Sequence, residues 1–143
     1  MRVLVDTTIW SLALRRRRRA LSAAERDLVR EFETLVVEGR VLLAGPVRQE
    51  ILTGVRDATV FERLKIHLSH FDDEPLGAAD FETAAEYANR CLAAGVAVAS
   101  TDLLLCAIAV RRHASVFTTD PDFTNYATRV PVRLLVPRSG TPK

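Results

Sequence analysis

The chain alternates between short unbroken apolar runs and longer stretches in which apolar residues recur with helical spacing. The first run, at 3–6, is continuously apolar until it ends in Asp6, the pattern of a strand buried on both faces, and it is expected to lie centrally in a sheet. A helix is predicted from Thr8. A second opens at Ser22 with Glu25 three residues on, a capping box; Leu28, Phe32, Leu35 and Val36 mark its apolar face and Gly39 ends it. The segment 41–44 reads as a strand, and Gly45 and Pro46 turn it into a helix carrying Glu50. Beyond Gly54, a helical stretch covers 58–69, with a weak extended piece near Phe71. Phe81, Ala84, Ala85, Ala88, Cys91 and Leu92 form a stripe that stops at Gly95. From Asp102 the run "DLLLCAIAV" is apolar on almost every side and predicts a helix packed inside the structure. Two late strands, 115–118 and 132–136, flank a short helix at 121–127, and the tail from Pro137 is expected to be disordered.

Strands interleaved with helices imply an α/β domain, since parallel neighbours need crossover connections and those are usually helical. In such sheets, sites form beyond the carboxyl ends of the strands. Asp6 and Asp120 fall at those ends, Asp102 in the first turn of a helix, and Glu50 about a turn into one, with Asp122 just behind Asp120. Carboxylates from distant segments are thus placed where one fold could gather them.

With 143 residues, the chain suits one domain, long enough to remove roughly 68% of its unfolded surface from water. No apolar run approaches the ~20 residues needed to cross a bilayer, and "MRVLVDTTIW" lacks a secretory leader pattern. A cytoplasmic protein with no membrane association is expected. Cys91 and Cys106 each lie within a helical pattern and read as buried reduced thiols.

Each acid taken alone has a structural explanation. Asp6 could cap the first helix, Glu50 and Asp102 could complement helix dipoles, and Asp120 with Pro121 could make a turn. Together they need a common reason. Two carboxylates ~5 Å apart repel by about 3 kcal/mol at an effective dielectric of ~20, so a cluster is strained unless protons or cations neutralise it. The candidates offer only oxygen, which favours Mg²⁺ or Mn²⁺ over zinc.

Four stretches carry a family resemblance: "VLVDTTIW" at the start, "RQEILTG" near position 50, "STDLLLCAIA" from Ser100 and "VFTTDPDF" from Val116. In order, spacing and apolar context they resemble the motifs of the PIN domain, specifically the VapC-type toxin nucleases of bacterial toxin–antitoxin pairs, over residues 2 to about 135. The resemblance implies a three-layer α/β/α fold around a parallel sheet of four to five strands, spanning residues 1–136. It also implies Mg²⁺- or Mn²⁺-dependent endoribonuclease activity, a VapB-type antitoxin as partner, a homodimer, and a structured RNA substrate such as a transfer or ribosomal RNA. Carried over, Asp6, Glu50, Asp102 and Asp120 match the acidic quartet, Asp122 an accessory acid, and Thr8 the hydroxyl residue that orients a metal-bound water or carboxylate. On this reading Asp6, Asp102 and Asp120 ligate metal, Glu50 is a ligand or accepts the water proton, and Asp122 stands behind them.

The run Arg15, Arg16, Arg17, Arg18 and Arg19 could line an RNA groove, receive an acidic antitoxin segment, or form a solvated helix end. Trp10, Tyr87 and Tyr126 are candidates for stacking on bases, although core or dimer packing suits Trp10 better. His67 and His70 lack a third ligand, and His113 reads as a complement to a helix dipole. Two rivals stand beside the nuclease. A phosphoacceptor domain would need a lysine after a late strand, which is missing, and a non-cutting PIN-like RNA- or protein-binding module would not need an intact quartet.

Overall fold

Val3, Leu4 and Val5 form strand β1 and are all fully buried. Successive strand residues point to opposite faces, so burial of all three means that both faces of the sheet are covered. The computed structural model describes residues 1–14 and 18–138. After β1 come α1 (Thr7–Leu14), a 3-10 turn (Arg18–Ala20), α2 (Ala23–Val37), β2 (Val41–Leu42), α3 (Gly45–Leu52) and α4 (Ala58–Leu68). The second half comprises α5 (Ala78–Ala93), α6 (Ser100–Arg111), β3 (Ser115–Phe117) and α7 (Asp122–Ala127).

The sheet runs β2-β1-β3, all parallel. Val3 pairs with Val41 on one side and Ser115 on the other, and Val5 with Phe117. Single parallel bridges, Leu43 with Asp73 and Val116 with Leu134, widen it at both edges. The strand expected at 132–136 is therefore reduced to one bridge, held by Val116 N–H to Arg133 O (2.9 Å) and Leu135 N–H to Val116 O (2.8 Å). The extended piece expected near Phe71 makes its bridge two residues later.

Helix α6 is buried on nearly all sides, through Leu103, Leu105, Cys106, Ala107, Ile108 and Ala109, as its unbroken apolar run predicts. It packs against α5 and against β1 and β3. Trp10 is a core residue: it meets Phe32 and Phe71 edge-on, and its indole N–H donates to Val5 O at 3.1 Å. Cys91 and Cys106 are buried free thiols. His113, just after α6, has φ 55° and ends that helix in the left-handed conformation.

The predicted capping box is formed. Ser22 Oγ accepts from Glu25 N–H at 3.1 Å, and Glu25 Oε1 accepts from Ser22 N–H at 3.0 Å. Ser22→Ala should cost about 1 kcal/mol, read as a lower urea midpoint with an unchanged slope.

Two ion-pair groups fasten the periphery. At the end of α6, Arg112 contacts Asp80 (2.8 Å), Glu74 (2.6 Å) and the carbonyl of Pro75 (2.7 Å). Near the C-terminus, Arg138 bonds Glu31 on α2 (3.2 Å) and Glu38 at the cap of that helix (2.9 Å), and with Arg40 it holds the Glu38 carboxyl down at about 2. Arg138 is thus anchored, contrary to the expectation of disorder from Pro137; residues 139–143 lie outside the described residues.

Candidate functional site

Asp6 ends β1 and begins the site. Its N–H donates to Phe117 O on the neighbouring strand (2.9 Å), and its carbonyl accepts from Ile9 N–H (3.0 Å), opening α1. Its side chain, in a residue only 6% exposed, receives two hydroxyls on one oxygen: Thr118 Oγ1 donates to Oδ2 at 2.7 Å and Thr8 Oγ1 at 3.2 Å. The same hydroxyls bind the loop after β3, because Thr118 Oγ1 accepts from Asp120 N–H (3.0 Å) and Thr8 Oγ1 from Thr119 N–H (3.1 Å). The hydroxyls of Thr8, after β1, and Thr118, after β3, therefore tie Asp6 to the loop that carries Asp120.

The other acids arrive from helices. Asp120 Oδ1 accepts from Asp122 N–H at 2.9 Å, a turn that opens α7. Asp102 lies in the first turn of α6, and Tyr126 on α7 donates its hydroxyl to Asp102 Oδ2 at 2.9 Å. That phenol oxygen also accepts from Ala99 N–H at 3.4 Å. Glu50 on α3 accepts from Thr7 Oγ1 at 3.0 Å.

These side chains share a cleft of about 520 Å³, lined by Asp6, Glu50, Asp102 and Asp120 together with Thr8 and Glu25. Asp102, Asp120 and Asp122 each bring an oxygen within 4.8 Å of the other two. Asp122 thus stands close to both Asp102 and Asp120. Burial pushes the Asp102 carboxyl up to about 6; the Tyr126 hydrogen bond opposes this, and the charges of Asp120, Asp6 and Asp122 add to it. The site resists accumulating negative charge, and every donor in it is oxygen.

Thr7, Thr118 and Glu25 were not singled out as site residues from the sequence, and Tyr126 was singled out only as a candidate for stacking on bases. The doubled threonines beside Asp6 and Asp120 are the signal that could have identified the first two. Tyr126 corrects an expectation: it is 1% exposed and bonds a carboxylate, so it offers no face for stacking, and Tyr87 is likewise buried. His67 and His70 border a separate apolar hollow with Trp10 and Phe32. Of the arginine run, Arg15, Arg16 and Arg17 lie outside the described residues, Arg18 starts the 3-10 turn, and Arg19 is exposed.

The chain is similar in structure to FitAcB from Neisseria gonorrhoeae, with a TM-score of 0.72 at 19% identity, over 94% of this chain and 97% of that one. VapBC2 from Rickettsia felis, bound to a DNA fragment from their promoter, gives 0.68 at 15% over 94% and 98%. VapBC-1 from nontypeable Haemophilus influenzae gives 0.69 at 12% over 94% and 97%. No curated protein sequence matches the chain. The family model for the PIN domain matches residues 3–128, nearly the whole described structure. With its parallel sheet and its cleft of carboxylates, the chain belongs to the PIN domain family.

Proposed function

We propose that this chain is the toxin of a toxin–antitoxin pair and acts as a Mg²⁺- or Mn²⁺-dependent endoribonuclease, with residues 1–136 as its nuclease domain. The observation that carries the reading is the convergence of Asp6, Glu50, Asp102, Asp120 and Asp122 from four separate segments, with the Asp102 carboxyl held near 6 by burial and its acidic neighbours. An all-oxygen set suits a hard divalent cation. Asp102, Asp120 and Asp122 would hold it, with Asp6 beside them. When bound, the cation supplies positive charge at the scissile phosphate and lowers the pKa of water.

The protein's own groups do the rest. Thr118 and Thr8 occupy one oxygen of Asp6 and so orient the other. Thr7 steadies Glu50, which would accept a proton from the attacking water. Water attack leaves a 5′-phosphate and a 3′-hydroxyl; a 2′,3′-cyclic phosphate would overturn this chemistry. The likeness to FitAcB and VapBC structures supports a VapB-type antitoxin as partner; a homodimer and a cytoplasmic setting are part of the same proposal.

The test is cleavage of total cellular RNA by purified protein in Mg²⁺, Mn²⁺ or EDTA. Discrete fragments that require metal are expected. Intact RNA in every condition, with antitoxin verified absent, would replace the nuclease with a non-cutting binding module.

A further inference from the structure

Beside the acidic cleft lies a second hollow of about 420 Å³, formed by the stretch 95–99, Asp122, Asn125 and Tyr126. It joins the acidic site physically, because Asp122 belongs to the tight acid group and Tyr126 bonds both Asp102 and the N–H of Ala99. Its wall is a segment between α5 and α6 without regular secondary structure, carrying the small apolar side chains of Val96, Ala97 and Val98. Among the described residues, the N–H groups of Ala97 and Val98 have no hydrogen-bond partner within the protein, and neither has the side-chain amide of exposed Asn125 on the facing helix.

Peptide groups with free donors, a primary amide opposite them and apolar walls form a surface suited to a flat heterocycle with a polar edge. Resting on the ribonuclease reading, we propose that this hollow seats the unpaired base of a nucleotide flanking the scissile phosphate, and that Asn125 with the peptide groups of Ala97 and Val98 reads its edge. Sequence-specific RNA recognition characteristically takes unstacked bases by their edges. The aromatic side chain in the hollow, Tyr126, is buried and engaged with Asp102, so recognition rests on hydrogen bonds and not on stacking, which would tolerate any base. The site therefore discriminates between bases at one position next to the cut.

The experiment is a titration of isotope-labelled protein with short single-stranded oligoribonucleotides, each with one of the four bases at the varied position. It is done in Ca²⁺ with strand integrity checked, and read on the backbone amides of Ala97 and Val98 and the side-chain amide of Asn125. Those resonances should move, with one base preferred, and Asn125→Ala should reduce that preference about tenfold while leaving binding of the other bases nearly unchanged. Asn125 is exposed on a helix, where alanine is well tolerated. Binding that leaves these amides unmoved, equal affinity for all four bases, or no binding would overturn the assignment. Cleavage of total RNA by the same preparation is scored separately, so failure of the base site is distinguishable from failure of the ribonuclease reading.

Discussion

Asp102→Asn should lower RNA cleavage by roughly 10³-fold and, in the same preparation, make the metal-free protein more stable at neutral pH. Activity falls because the tight acidic group loses a charged oxygen. Stability rises because the wild-type carboxyl is held near 6, above its value in the unfolded chain, chiefly by burial. Between about pH 4 and 6 the folded state then binds more protons than the unfolded one, so wild-type stability falls as pH rises through that window. Above it the penalty is complete. Its ceiling is about 3 kcal/mol, which partial solvent access reduces to roughly 1–2 kcal/mol. Asparagine removes the charge and can still accept the Tyr126 hydroxyl. Urea midpoints in EDTA should therefore coincide for the two proteins near pH 4 and separate by pH 7.5, with the variant higher. A variant weaker at pH 7.5 would show that Asp102 serves mainly to complement the N-terminus of α6.

At the other end of α6, Arg112→Ala should destabilise the fold by about 3 kcal/mol, lowering the melting temperature by about 10 °C. Arg112 grips both oxygens of Asp80, at 2.8 and 3.0 Å, and Asp80 is only 2% exposed. Without it, that buried charge keeps Arg111 at 2.9 Å and the N–H of Gly77 at the same distance. Arg112, Gly77 and Arg111 hold the Asp80 carboxyl far below the usual carboxylate range. The stability this represents is fully present above about pH 4 and is lost as pH falls further, so the gap between wild type and variant should be wide at pH 7 and close in acid. A drop of less than 2 °C at pH 7 would mean that Arg111 alone suffices.

The chain's apolar rhythm made the central strand, the α6 core helix and the Ser22 capping box readable, because each depends on neighbours in sequence. The acidic quartet was readable for a related reason: in a parallel sheet, strand ends and helix starts share one edge. What stayed hidden depends on distant partners. Leu134 was expected in a full strand, yet the ladder there closes after one bridge. Tyr126 looked like a base-stacking residue because nothing local reveals that Asp102, 24 positions away, accepts its hydroxyl. Asp122 could be read only as an accessory acid, because its closeness to Asp102 depends on where the chain places α7. Arg138 looked like part of a loose tail, since its acids, on α2 and at the cap of that helix, lie a hundred residues or more earlier.

The strand order bears on when the cleft of carboxylates can be completed during synthesis. β1 is synthesised before both of its partners, and it takes β2 on one flank and β3 on the other, the latter some 112 residues downstream in register. Thr118 and Asp120, which complete the setting of Asp6, follow β3 immediately. At ~5–20 residues per second, roughly 6–23 s separate the synthesis of Asp6 from that of Asp120. A nascent chain that already carries Asp6, Glu50 and Asp102 still lacks Thr118, which bonds Asp6, and Tyr126, which bonds Asp102. On the nuclease reading, an incomplete product released from a stalled ribosome before Ser115 would be harmless, and a partner synthesised alongside has that interval in which to be ready.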